Sequence, residues 1–255
     1  MKSLIISIIL LLNSTLLFSQ GICRTDILNE EKLKEENKIE EYLQYDFSAL
    51  WATKDNPVGI IGDSYQRIYI KVLTVVKNEF VPNEYLVYGK SRVKNNICDF
   101  VGKITIDKIQ ETIRVGFGAD DMYKGESKTQ GLITARYDFF ENKAQKHTGI
   151  FSGTLKTKWY LDKNGKMQYD NMNDHSDGYF NNAYVGLWQG YGTEQGKICN
   201  WANHRVPNVK CGFDTGAGEF FPAEEYAKSG WDNYLKAYLN GDKKAILEEE
   251  KEWWK

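Results

Sequence analysis

Hydrophobic and polar residues alternate along most of the middle of this chain, and the period of that alternation predicts strands. Ile68, Ile70 and Val72 share one parity within 66–76, and strand patterns continue over 85–93, 97–106, 112–117 and 131–140. Further patterns cover 149–161, 167–169, 183–191 and 197–201. In the longest of these, Phe151, Leu155 and Trp159 lie on one face, and Asp162-Lys163-Asn164-Gly165 follows. Asn-Gly accepts the positive φ of a tight turn, so a hairpin is expected there. Short strands separated by turn signals predict an antiparallel β-barrel or β-sandwich. No helical pattern lies between the strands to act as a crossover, which argues against a parallel sheet.

The pattern changes at both ends. Over 26–51, Ile39, Tyr42, Leu43, Phe47, Leu50 and Trp51 recur at three- and four-residue steps, which predicts a helix with one apolar stripe. Asn56-Pro57 ends it. Near the C-terminus, Trp231, Tyr234, Leu235, Tyr238 and Leu239 form a second stripe. Asp242 then stands where it can cap a last helix carrying Ile246, Trp253 and Trp254, and packing against the N-terminal helix is expected for that Trp pair. The organisation expected is therefore a signal peptide at 1–20, a helical segment at 21–55, the β-barrel at 56–221 and C-terminal helices packed on it at 222–255.

The first twenty residues read as an export signal: Lys2, an apolar run over 4–12 too short to span a bilayer, and a more polar exit over 14–20. Its removal leaves 32 basic and 35 acidic residues, a net charge of −3. No basic patch stands out, which disfavours nucleic acid as a partner. Export also gives the four cysteines a use. Cys199–Cys211 and Cys23–Cys98 are the expected disulfides in an oxidising compartment, periplasmic or extracellular.

Glycine recurs inside two similar strands, Phe100-Val101-Gly102-Lys103-Ile104 and Phe151-Ser152-Gly153-Thr154-Leu155, where it marks a bend or a close backbone approach. Between strands, 170–182 is rich in Asp and Asn. Asp170, Asn173, Asp174, Asp177 and Asn181 are oxygen donors of the kind calcium takes, but their spacing departs from the twelve-residue calcium loop. Turn formation through their own backbone is the simpler use. Cys199, His204 and Cys211, with His175 as a fourth ligand, have a spacing that also suits zinc. The disulfide reading takes precedence in an exported protein, so no metal or cofactor is assigned. Arg205 suits a ligand carboxylate or a structural pair with Asp214 or Glu219.

Tyr137-Asp138-Phe139-Phe140-Glu141, Gly149-Ile150-Phe151-Ser152-Gly153, Asp177-Gly178-Tyr179, Gly186-Leu187-Trp188 and Cys199-Asn200-Trp201 together resemble a group of uncharacterised exported proteins of Gram-negative bacteria, a likeness that implies no activity. Gly186-Leu187-Trp188 also resembles the Gly-x-Trp of lipocalin-like barrels and implies a cavity for an apolar ligand. In lipocalins that motif lies on the first barrel strand, whereas here about seven strand patterns precede it.

Nothing in the chain matches a catalytic signature. The expected function is thus a non-enzymatic barrel that binds a small molecule or envelope component, lined by Trp159, Tyr179, Trp188, Tyr191 and Trp201, with Arg205 beside them. One alternative is a glycan or peptidoglycan hydrolase using a carboxylate pair from Asp170, Asp174, Asp177 and Glu219, with His175 as a possible base. Another is a structural envelope protein.

Overall fold

The computed structural model describes Ile22–Cys23 and residues 32–255. The expected signal peptide, and the first part of the expected N-terminal helix, lie outside the described residues. The strands are β1 Ile22–Cys23, β2 Val58–Ile61, β3 Gln66–Lys77, β4 Glu84–Val93, β5 Asn96–Glu111, β6 Ser127–Glu141, β7 Gly149–Asp162, β8 Met167–Tyr169, β9 Asn181–Gly190, β10 Lys197–Asn203 and β11 Val209–Lys210. The short helices are α1 Ile39–Tyr42, α2 Ser48–Trp51, α3 Asp232–Tyr238 and α4 Lys243–Glu249.

Strands β2 to β7, β9 and β10 form one antiparallel sheet, and it closes on itself through the β6–β7 and β10–β2 ladders. An eight-stranded barrel results, and the sandwich alternative falls. Strand β8 is a short addition to β7 through the expected hairpin, with Gly165 at φ 78°.

The strand expected over 97–106 runs on to Glu111 as β5, and 112–117, also expected as a strand, has no regular structure beyond the bridge of Thr112 to Leu33. A bulge between Ile106 and Lys108 breaks the alternation where the expected strand stops, and β5 continues beyond it. Ile106 and Ile109 are both buried although three residues apart, because the extra residue resets the side-chain parity. Strand β2 was not anticipated; it is four residues long and contains Gly59.

Inward-facing glycines let the barrel fill with aromatic rings. A Cβ on Gly102 would lie 2.0 Å from the Asp138 carbonyl oxygen, and one on Gly153 would lie 2.2 Å from that of Val185. Close strand approach at these points is what the repeated glycine requires. Phe100, Phe139, Phe151, Tyr137, Tyr184 and Trp201 pack across the interior, with Tyr184 stacked on Trp201 at 4.7 Å.

The two barrel ends differ. The loops after β3, β5 and β8 leave from one end, and the N-terminal segment plugs it. Among the described residues, the long helix expected over 26–51 is instead two single turns, α1 and α2, preceded by a stretch that bridges Leu33 to Thr112. The Asn37 side chain accepts the N–H groups of Ile39 and Ile109, tying the chain to β5 before α1 begins. The apolar stripe still serves its purpose. Tyr42, Phe47, Leu50 and Trp51 are buried, the Trp51 indole donates to Thr157 Oγ1 at 3.0 Å, and the Asn182 amide donates to the Leu50 carbonyl at 2.8 Å. Two lysines of β3 hold the same segment: Lys77 donates to the carbonyls of Leu43 and Tyr45, and Lys71 to those of Thr53, Lys54 and Asp55.

C-terminal elements cover the outer wall of β2 and β3. Val58, Ile60 and Tyr65 form a second core with Val206, Val209, Phe213, Phe220 and Trp231. Asp242 caps α4 as expected, accepting the N–H groups of Lys244 and Ala245. Trp253 and Trp254 do not meet the N-terminal helices. They lie on the outer face of β3 and β4, near Tyr69, Arg92 and Lys71, where cations and rings alternate.

The expected cysteine pairing is overturned. Cys98 and Cys199 are buried free thiols, so neither Cys199–Cys211 nor Cys23–Cys98 forms. Cys199 points into the barrel core, on the far side of the wall from Cys211, which follows β11 and is exposed. The β1–β11 ladder instead sets Cys23 opposite Val209, close in sequence to Cys211. No helix among the described residues is long and apolar enough to cross a membrane.

Candidate functional site

The barrel end opposite the plug is open. The loops after β2, β4, β6 and β9 ring it, and between them lies a cavity of about 1050 Å³. Its walls are Ile61, Ile68, Val93, Phe151, Leu187 and Trp188, and its polar groups include Gln66, Ser91, Asn96, Glu141 and His147.

Glu141 is the chemical centre of this cavity. It ends β6 on the same parity as Tyr137 and Phe139, so its side chain turns inward and is 4 % exposed. Three donors converge on the carboxyl group. Oε2 accepts the Gly149 N–H at 2.8 Å and the Trp188 indole N–H at 2.9 Å, and Oε1 accepts the Ser91 hydroxyl. Burial raises the carboxyl above its ordinary value of 4.5, and the three donors pull the other way without cancelling that effect. Burial also pushes up the thiols of Cys98 and Cys199, with the charge of Glu141 adding to both.

The donor arrangement makes a substitution informative. In Glu141→Gln the amide oxygen can take both N–H donors while its nitrogen donates to Ser91 Oγ, which is able to accept. The variant is expected to lie within about 1 kcal/mol of the parent at pH 7. Because the folded-state pKa of Glu141 is raised, the parent's stability contribution from this group is full at acid pH and is lost as pH rises through that pKa. Chemical denaturation from pH 4 to 8 should therefore show the parent's advantage over Glu141→Gln shrinking as pH rises. A growing advantage would contradict this placement of the charge.

The residues expected to line a ligand site are dispersed. Trp188 walls the cavity, and Tyr191 stands beside it, its hydroxyl donating to the Glu141 carbonyl at 2.9 Å. Trp159 and Trp201 are fully buried in the packed interior and line no opening at the mouth. Tyr179 lies elsewhere, with its hydroxyl on the Asp170 carbonyl and the His204 ring 5.1 Å away. Arg205 forms the structural pair with Asp214 and also donates to the carbonyls of Gly216, Ala217 and Gly218.

The residues of the alternative hydrolase reading meet in part. Asp174, His175, Tyr179, His204 and Glu219 line a second, outer cavity of about 490 Å³. Asp170 is buried with its carboxylate on the Met172 N–H; burial raises its pKa and pushes the neighbouring Lys158 down to about 8. Asp177 is exposed and is not among the residues lining that cavity. Asn181 spends its amide on both backbone groups of Lys158. Asp170 thus closes an Asx turn at the start of the loop, whereas Asn181 ties its end to β7. Cys199, in the barrel core, lies apart from His204, and among the described residues no cluster of His, Cys, Asp and Glu is arranged to hold a metal.

Sequence reasoning passed over Glu141, Ser91 and His147. A signal for two of them existed: Glu141 continues the inward parity of Tyr137 and Phe139, and Ser91 that of Tyr85 and Val87.

No family model, curated protein or solved structure matches this chain.

Proposed function

We propose that this protein is a non-enzymatic, exported β-barrel that binds a small molecule in its open end. The observation that carries the reading is the cavity itself: about 1050 Å³, apolar on its walls, with one buried carboxyl group among them. That size and chemistry suit a drug-sized ligand that is held by apolar contact and oriented by a few polar groups. The plugged opposite end supports the same reading, because it leaves one entrance. Export is part of the proposal, and with it a disulfide between Cys23 and Cys211, which the β1–β11 ladder brings near one another by setting Cys23 opposite Val209.

Binding of N-phenyl-1-naphthylamine, a neutral apolar fluorophore, tests the proposal. Saturable fluorescence enhancement is expected, weakened about tenfold in Trp188→Ala through loss of the aromatic wall. Enhancement of equal affinity in a folded Trp188→Ala variant would remove the site from the mouth, and its absence in the parent would remove the function.

A further inference from the structure

We infer that the ligand of the open end is an amine: an apolar, preferably aromatic body bearing an ammonium group that docks against Glu141. The inference rests on the binding reading above and specifies its chemistry.

A buried carboxylate ordinarily has a cationic partner. Among the described residues no lysine or arginine forms an ion pair with Glu141, although Lys94 and Lys197 stand on the rim of the same cavity. Lys197 lies instead over the Trp188 ring, 5.5 Å from its centre. The charge of Glu141 is held by three neutral donors: one hydroxyl and two N–H groups.

These three donors leave room for a fourth. A carboxylate offers about four lone-pair positions, and Oε1 receives only Ser91. Glu141 itself lines the cavity, so the unfilled position belongs to a group that enters from the mouth. A ligand ammonium would supply both the missing hydrogen bond and the missing charge.

The walls suit the same class. Phe151 and Trp188 line the same cavity as the carboxyl group, and aromatic faces attract cations while packing an apolar body. Trp188 is fixed for this role because its indole N–H is already bound to Glu141. A carboxylate ligand entering head first would meet Glu141 as a like charge.

Isothermal titration with three probes of one skeleton tests this: 4-phenylbutylamine, 4-phenyl-1-butanol and 4-phenylbutyrate. The amine is expected to bind about tenfold more tightly than the alcohol, as a charge-assisted hydrogen bond exceeds a neutral one, and the carboxylate should bind most weakly. In Glu141→Gln the amine and the alcohol should bind alike. The ranking in the unsubstituted protein requires no variant to fold. If the carboxylate binds best, the rim lysines select the ligand and the amine assignment falls while the binding reading stands. Equal binding of all three has the same meaning. If none binds, and N-phenyl-1-naphthylamine does not bind either, both fall.

Discussion

Trp159→Ala is expected to destabilise the protein by about 3–5 kcal/mol, the range for removing a large aromatic side chain from a packed core. Trp159 is completely buried, its ring lies 4.7 Å from that of Tyr42, and its indole rests against the backbone of Gly131. Those contacts join the plug to the barrel wall, so the void would open where the two must adhere. The indole N–H has no hydrogen-bond partner, which separates packing from polarity. Trp159→Phe keeps part of the ring volume and deletes an unsatisfied donor, so it should cost much less than the alanine variant. Urea unfolding of both variants checks the pair. Equal losses would mean that the ring's size is not what matters, against the account of a filled interior at this end.

Glu249→Ala should have a comparable effect, about 3–5 kcal/mol, because it leaves a buried guanidinium without its counter-charge. The Arg67 and Glu249 side chains are 6 % and 5 % exposed and are joined by two parallel bonds of 2.8 and 2.6 Å. Tyr69, Trp231 and Tyr234 surround the Arg67 guanidinium at 4.2, 4.9 and 5.0 Å, so no water shell replaces the lost carboxylate. Asn233 also loses its bond to Glu249. The pair fastens α4 to the outer wall of β3, so limited proteolysis should cut the C-terminal segment first in the variant. Replacing both partners together, as Arg67→Met with Glu249→Leu, should restore much of the stability, since no charge is then stranded. A double variant as unstable as Glu249→Ala would show that the bond itself, and not the stranded charge, sets the loss.

How much of this was legible in the sequence depended on whether a signal was local. The barrel was legible because each strand states its own parity, and the hairpin at Asn164-Gly165 because the turn carries its chemistry in two residues. Parity misled where a bulge intervened, as at Ile106 and Ile109. The N-terminal helix was overread because the stripe from Ile39 to Trp51 fits a long helix equally well, and only the bond from Asn37 to β5 shows where the chain is held. Cysteine pairing failed for a different reason. Closeness in sequence favoured Cys199 with Cys211, yet one faces the core and the other solvent, and facing is a property of the closed sheet. The site was partly visible through Trp188 and Tyr191. Glu141 was hidden among outward acids, such as Asp138 on the same strand, until its inward parity was traced. Trp159 and Trp201 drew notice because of their type, but tight packing and not access explains their burial.

The claim that the open end holds a ligand is tested most directly by following the seven indole N–H signals in ¹H–¹⁵N spectra while 4-phenylbutylamine is added. Trp188 should shift progressively and saturate, since its N–H is bound to Glu141 at the cavity wall, while Trp51, Trp159 and Trp231, which do not line it, stay in place. A shift confined to Trp253 and Trp254 on the outer surface, or no saturable shift at all, would contradict it.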